Sequence, residues 1–218
     1  MINNAFEKGR ATYPWWPDWQ GDCAAIVAGG PSLKGFDLSP LKDRIHTIAI
    51  KVAIDLCPWA EVVYGCDAPW WVSRNGLPKY KGIKLYHGIQ ANQYPNMRRV
   101  EIEIGSDTML VDKPLKIGNG GCSGFQALNL AVQFGITDVI LIGYDLHERG
   151  GVHWYGRNKW NQANNPMGSN YNRWRKGFET AKPSLTNLGV TVINASLGSE
   201  LKCFPIKSLE DTMREWGL

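Results

Sequence analysis

The stretch SGFQALNLAVQFGITDVILIG, residues 123–143, decides the fold class. In its first part Phe125, Leu128, Asn129 and Val132 recur at helical spacing, with Ser123 placed to cap the start and Gly135 the end. Three residues later DVILIG (138–143) is almost continuously apolar. A strand without polar alternation is buried on both faces, as in the centre of a parallel sheet.

Working outward, runs of the same kind are CAAIVA (23–28), IHTIAI (45–50), EVVYGC (61–66), IKLY (83–86), VEIEI (100–104) and VTVIN (190–194). Further helices are expected over about 171–188 and about 206–216. Strands alternating with helices give an α/β class with a mostly parallel sheet flanked by helices. With no internal repeat and no linker, residues 1–218 read as one domain. Residues 1–22 form an aromatic leader (Tyr13, Trp15, Trp16, Trp19) broken by Pro14 and Pro17, unable to form a long helix and expected to pack across the surface.

At 218 residues and 44% hydrophobic content the chain supports a substantial core, and 24 Lys+Arg against 20 Asp+Glu leave a net charge of +4. This excludes a strongly polybasic binder and leaves nucleic acid and anionic small molecules open. The five cysteines are scattered without a C-x-x-C pair, which argues against a disulfide framework or a structural zinc site. No run of about 18 apolar residues predicts a membrane span. The start lacks an apolar signal core, so a cytoplasmic location is expected.

Charge is localised. Segment 149–182 carries seven basic residues against one acidic, interleaved with six aromatics and many Asn. It reads as a lid-like segment able to close over a nucleotide diphosphate or stack on bases, or as a solvated loop docked by its aromatics. The ten Trp fall mostly around the strand ends and this segment, as stacking on a base or sugar requires.

Ligands of open α/β sheets bind beyond the carboxyl ends of the strands. After run 23–28 come Gly29, Gly30 and Ser32, a tight turn whose hydroxyl can face a phosphate. A glycine-dense loop, 118–124, leads into Ser123 and Gly124 at the helix start, with no strong strand ahead of it. Neither is a Walker loop. Asp67 and Asp145 end two further runs, and His147 and His153 follow Asp145 as candidate proton carriers. His46 and His87 read as structural. No metal-ligand spacing and no D-x-D motif occurs.

The segments AIVAGGPSL (25–33), SGFQALNLAVQFGITDVILIGYDLH (123–147) and GVTVINASLGSELKCFPIKSLED (189–211) resemble the bacterial lipooligosaccharide sialyltransferases. They also resemble the related Rossmann-like family containing the archaeal-type 6-hydroxymethylpterin diphosphokinase, in a form common among bacteriophage proteins. The resemblance implies a single Rossmann-like domain with Gly29, Gly30, Ser32, Ser123 and Gly124 around a nucleotide. Two donor-contacting Tyr of the sialyltransferases fall at His147 and His153, and their general-base His has no equivalent in 167–173. The implied activity is transfer from a nucleotide-activated donor, a CMP- or UDP-sugar, to a hydroxyl acceptor. His153 would act as base with Asp145, and Arg157 and Arg173 would steady the leaving phosphate. The alternatives are an ATP-dependent diphosphokinase using Mg²⁺, with Asp67 and Asp145 as the acidic pair, and a nucleic-acid binder or an enzyme whose acceptor is phage DNA.

Overall fold

The computed structural model describes residues 4–218, apart from the side chain of Gln90; the first three residues of the leader lie outside the described residues. Seven strands form one sheet: β1 (Cys23–Val27), β2 (His46–Ile50), β3 (Val62–Gly65), β4 (Ile83–Tyr86), β5 (Met97–Arg99), β8 (Asp138–Ile142) and β9 (Thr191–Asn194). Their order is β5-β4-β3-β2-β1-β8-β9, and every pairing is parallel. The chain winds outward from β1 to β5, then crosses to the other side of β1 for β8 and β9. The order therefore reverses beside β1, and the carboxyl ends of β1 and β8 flank the switch point where such sheets open a crevice.

Helix α3 (Ser123–Gln133) packs on β1, β2 and β3. It meets α4 (Gly168–Asn187), whereas the short α2 (Ala68–Ser73) and α5 (Leu209–Trp216) bury Trp70, Trp71, Leu209 and Met213 in a second core cluster with Ala25, Val27 and Ile140. The crossovers from β1 to β2 and from β2 to β3 use only short 3-10 turns.

Three expectations change. Run 100–104 does not join the main sheet: β6 (Glu101–Glu103) pairs with β7 (Lys116–Gly118) in a separate two-stranded sheet, and Met97–Arg99 supplies the edge strand instead. Consequently a short strand, β7, does precede the glycine-dense loop. The leader opens with helix α1 (Asn4–Thr12), and its Phe6, Trp16 and Trp19 are buried in the core rather than laid over it. Trp16 and Trp19 both meet Phe134 edge-on.

Asn129 and Gln133, fully buried on α3, explain how the glycine loop is held. Asn129 Oδ1 accepts the amides of Gly118 (2.8 Å) and Leu110 (3.0 Å) while its Nδ2 donates to the Leu110 carbonyl. Gln133 does the same for Leu115 and Lys116. These amides replace the ladder partners that short strands lack, so backbone groups of Leu110, Leu115, Lys116 and Gly118 are satisfied where the irregular 108–118 segment runs over α3.

Candidate active site at the carboxyl edge of the sheet

A cavity of about 230 Å³ opens above the carboxyl ends of β1, β2, β3 and β8, walled on its outer side by residues of the 149–182 segment. Its floor is the turn after β1. Gly30 donates its amide to the Gly143 carbonyl (2.9 Å), tying that turn to the end of β8. A Cβ on Gly30 would stand 1.9 Å from Asp145 Oδ2, so only glycine fits. Asp145 is itself buried, and its two oxygens accept the Ser32 amide (3.1 Å) and the Ser32 hydroxyl (2.8 Å). Ser32 thus spends its hydroxyl on Asp145 rather than presenting it to a phosphate. Asp145, in turn, clamps the two loops of the switch point together.

At the start of α3 the cap is Cys122, not Ser123, and it makes no side-chain hydrogen bond of the usual oxygen type. Burial pushes its thiol up to about 11, against the opposing pull of the Phe125 and Gly124 amides. Ser123 instead donates to Cys66 Sγ (3.2 Å) across the sheet end. Gly124 sits under Tyr144, whose ring would lie 2.8 Å from a Cβ and whose hydroxyl donates to the Gly124 carbonyl (3.0 Å). That close approach lets α3 lie directly on the sheet.

Asp67 starts α2 and is bound by Lys51 Nζ at 2.6 Å. Lys51 follows β2 in the left-handed region, φ 50°, which turns its side chain toward the neighbouring strand end. Burial alone would lower the Lys51 ammonium, but Asp67 outweighs it and holds the group above its ordinary value. Burial likewise acts to raise Asp67, and Lys51 brings it below the usual carboxylate range. Burial pushes the adjoining Cys66 thiol up to about 12, leaving it protonated.

The two histidines part company. His147 accepts the Arg149 amide at Nδ1 (3.1 Å) and donates to the Gly198 carbonyl from Nε2 (3.2 Å), so neither ring nitrogen is free. His153 lies over Gly29, 3.1 Å from where its Cβ would be, and stacks on Tyr155 at 4.8 Å. Its Nδ1 donates to the Gly156 carbonyl (3.1 Å), which leaves the lone pair on Nε2. Burial pulls its pKa down to about 4, more than the Gly156 carbonyl restores, so the ring is neutral at physiological pH.

Of the residues singled out from sequence, the cavity wall contains Gly29, Gly30, Asp67, Ser123, Gly124, Asp145, His147 and His153. Ser32 lies behind Asp145. Arg157 and Arg173 are not on the wall. Arg157 is exposed, and Arg173 pairs with Asp107 at 2.8 Å, which also accepts the Gly120 amide. Segment 149–182 turns Asn158, Asn165, Tyr171 and Trp174 to the cavity and leaves Arg149, Arg157, Lys159, Arg173 and Lys176 exposed, while Asn161 and Asn172 also face outward. Asn158, Asn164 and Asn165 line the cavity and bind one another, the Asn158 backbone amide donating to Asn165 Oδ1 at 2.7 Å and its Nδ2 to the Asn164 carbonyl. Of the ten Trp only Trp174 reaches the wall; Trp70 and Trp71 are fully buried against each other. Most of the tryptophan surplus is therefore core, not stacking surface.

Lys51 is a wall residue that sequence reasoning passed over, and Tyr171 and Trp174 are the two of the six aromatics of 149–182 that reach the wall. Lys51 was within reach, since it directly follows the run 45–50 and the strand-end rule that picks Asp67 and Asp145 applies to it equally. Asp67 is ion-paired with Lys51, and Asp145 accepts from Ser32. Among the described residues no group of three His, Cys, Asp or Glu is placed to hold a metal ion. No described helix is long and apolar enough to cross a membrane.

Sheet order, switch point and cleft together define a single Rossmann-like α/β domain. The chain is similar in fold to the sialyltransferase CstII from Campylobacter jejuni, solved in complex with the substrate analogue CMP-3FNeuAc: TM-score 0.50, 12% identity, covering 86% of each chain. No family model and no curated protein sequence matches the chain.

Proposed function

We propose that this chain is a transferase that binds a nucleotide-activated sugar in the switch-point cleft and passes the sugar to a hydroxyl acceptor. One observation carries the reading: a single cavity gathers the Gly29-Gly30 turn, the amino end of α3 and a neutral histidine with a free lone pair. Fold likeness to an enzyme solved with a CMP-sugar analogue supports it. The amino end of α3 supplies positive potential for the donor phosphate, with the Lys51–Asp67 ion pair beside it. His153 Nε2 takes the acceptor proton as the acceptor oxygen bonds to the anomeric carbon. The bond from that carbon to the phosphate oxygen breaks, and the nucleotide leaves with its electron pair. Asp145 fixes the floor against which the sugar lies.

Diphosphoryl transfer from ATP needs carboxylates gathered on Mg²⁺, and Asp67 is ion-paired with Lys51 while only Asp145 keeps acceptor capacity, so the glycosyl reading is favoured. The outward charge of 149–182 leaves room for a polyanionic acceptor such as DNA.

Thermal unfolding with CMP, UDP, their sugar conjugates and ATP with Mg²⁺ tests the reading. A ligand at 100 times its Kd adds about 2.7 kcal/mol, which for a chain of this size raises Tm by roughly 5–10 °C. A shift with a nucleotide sugar supports it; a shift with ATP and Mg²⁺ alone, or with none, refutes it.

A further inference from the structure

The Tyr171 ring, from the first turn of α4, lines the cavity and is 5% exposed, yet its hydroxyl is buried with no hydrogen-bond partner. A donor buried without a partner is a standing cost that a bound oxygen removes. Burial first, and then the charges of Glu148 and Asp145, raise its pKa, so it is a neutral donor and not a base. Asp145 faces the same cavity, and its carboxylate keeps acceptor capacity beyond the two bonds from Ser32. A donor hydroxyl and an acceptor carboxylate on one wall match sugar hydroxyls, which both give and take hydrogen bonds.

Charge narrows the class further. The wall carries one ammonium, Lys51, against two carboxylates, Asp67 and Asp145. Lys51 lies beyond β1, on the far side of the switch point from Asp145. Of the nearby guanidinium groups, Arg149 is held by Glu200 (2.8 Å), Arg173 by Asp107 (2.8 Å) and Arg175 by the Leu146 carbonyl (2.7 Å), while Arg157, whose charge reaches His153, is exposed and lies off the wall. A carboxylate on the sugar would meet Asp145 with no cation beside it, an arrangement that disfavours binding.

We infer that the group carried by the donor is an uncharged sugar seated between Tyr171 and Asp145, and that acidic sugars are refused. The inference rests on the nucleotide-sugar reading above. Its test is calorimetric binding of UDP-glucose against UDP-glucuronate, which differ only in a carboxylate, with UDP, CMP and CMP-N-acetylneuraminate alongside. The expected result is that a neutral conjugate binds more tightly than its bare nucleotide. UDP-glucuronate should then bind at least about tenfold more weakly than UDP-glucose, and CMP-N-acetylneuraminate no more tightly than CMP. Tyr171→Phe, which keeps the buried ring, should weaken the neutral conjugate roughly 2- to 10-fold and leave the bare nucleotide unchanged. Tighter binding of either acidic conjugate than of its nucleotide overturns the inference while sustaining the donor reading. So does an equal effect of Tyr171→Phe on conjugate and nucleotide. Failure of every nucleotide and conjugate to bind overturns the donor reading itself.

Discussion

Gly30→Ala is the sharpest probe of how the cleft is built. The φ of Gly30 is −64°, which any residue adopts, so the whole effect of the added methyl is steric. That methyl would stand 1.9 Å from Asp145 Oδ2 and 2.5 Å from the Gly143 carbonyl oxygen, and neither contact is tolerable. Backbone cannot retreat easily, because Gly30 is bonded to Gly143, so the buried Asp145 carboxylate must move and release Ser32. Overpacking costs about 1–3 kcal/mol, and a lost hydrogen bond to a charged group about 1.5–3 kcal/mol. Together these set an expected loss of about 3–5 kcal/mol, a fall in Tm of roughly 6–20 °C for a chain of this length. Urea unfolding followed by circular dichroism measures it, with Ser32→Ala as the partner variant. Since Ser32→Ala already removes the hydroxyl bond, Gly30→Ala should cost about 1–2 kcal/mol less in that background. A loss under about 1 kcal/mol for Gly30→Ala alone, or strict additivity of the pair, would refute the clamp.

Other outcomes follow from single contacts. His153→Ala should lower transfer about 10²- to 10⁴-fold while nucleotide affinity holds. Because His153 is deprotonated down to about pH 4, the acid limb of wild-type turnover should fall near there, and a midpoint near the ordinary histidine value would contradict its role. Asn129→Leu strands three backbone partners and should destabilise by about 3 kcal/mol or more in denaturant unfolding. His46 is raised above 6.5: burial opposes this, but Glu61 at 2.8 Å and Asp22 outweigh it. A raised folded pKa stabilises fully below the unfolded value and fades as pH climbs through the folded one. The stability gap between wild type and His46→Gln should therefore be wider at about pH 6 than at about pH 9, and a gap that widens with pH would exclude the ion pairs. Cys66, protonated to about 12, should resist iodoacetamide at about pH 8 in intact-mass measurements.

The central strands and α3 were legible because burial on two faces, or on one helical face, leaves a periodic mark in sequence. The edges were not. Val100–Ile104 alternates well enough for the main sheet, yet its place is taken by Met97–Arg99, and nothing local in either run ranks them. The strand-end rule located Asp67 and Asp145 but not their commitments, since Lys51 and Ser32 reach them by turns that spacing does not encode. The charge of 149–182 was countable, but its direction depends on which residues find Asp107 or Glu200 in the folded chain. The unpaired Tyr171 hydroxyl left no mark, because it is a property of packing.

The leader has a consequence for synthesis. Trp16 and Trp19 close on Phe134, so this apolar segment leaves the ribosome long before its binding surface exists. At about 5–20 residues per second the wait is roughly 6–24 s. Through that interval a tryptophan-rich stretch stands in water, open to chaperones or to other nascent chains. The segment that packs on Phe134 at the end of α3 is thus among the last to find its place in the folded chain.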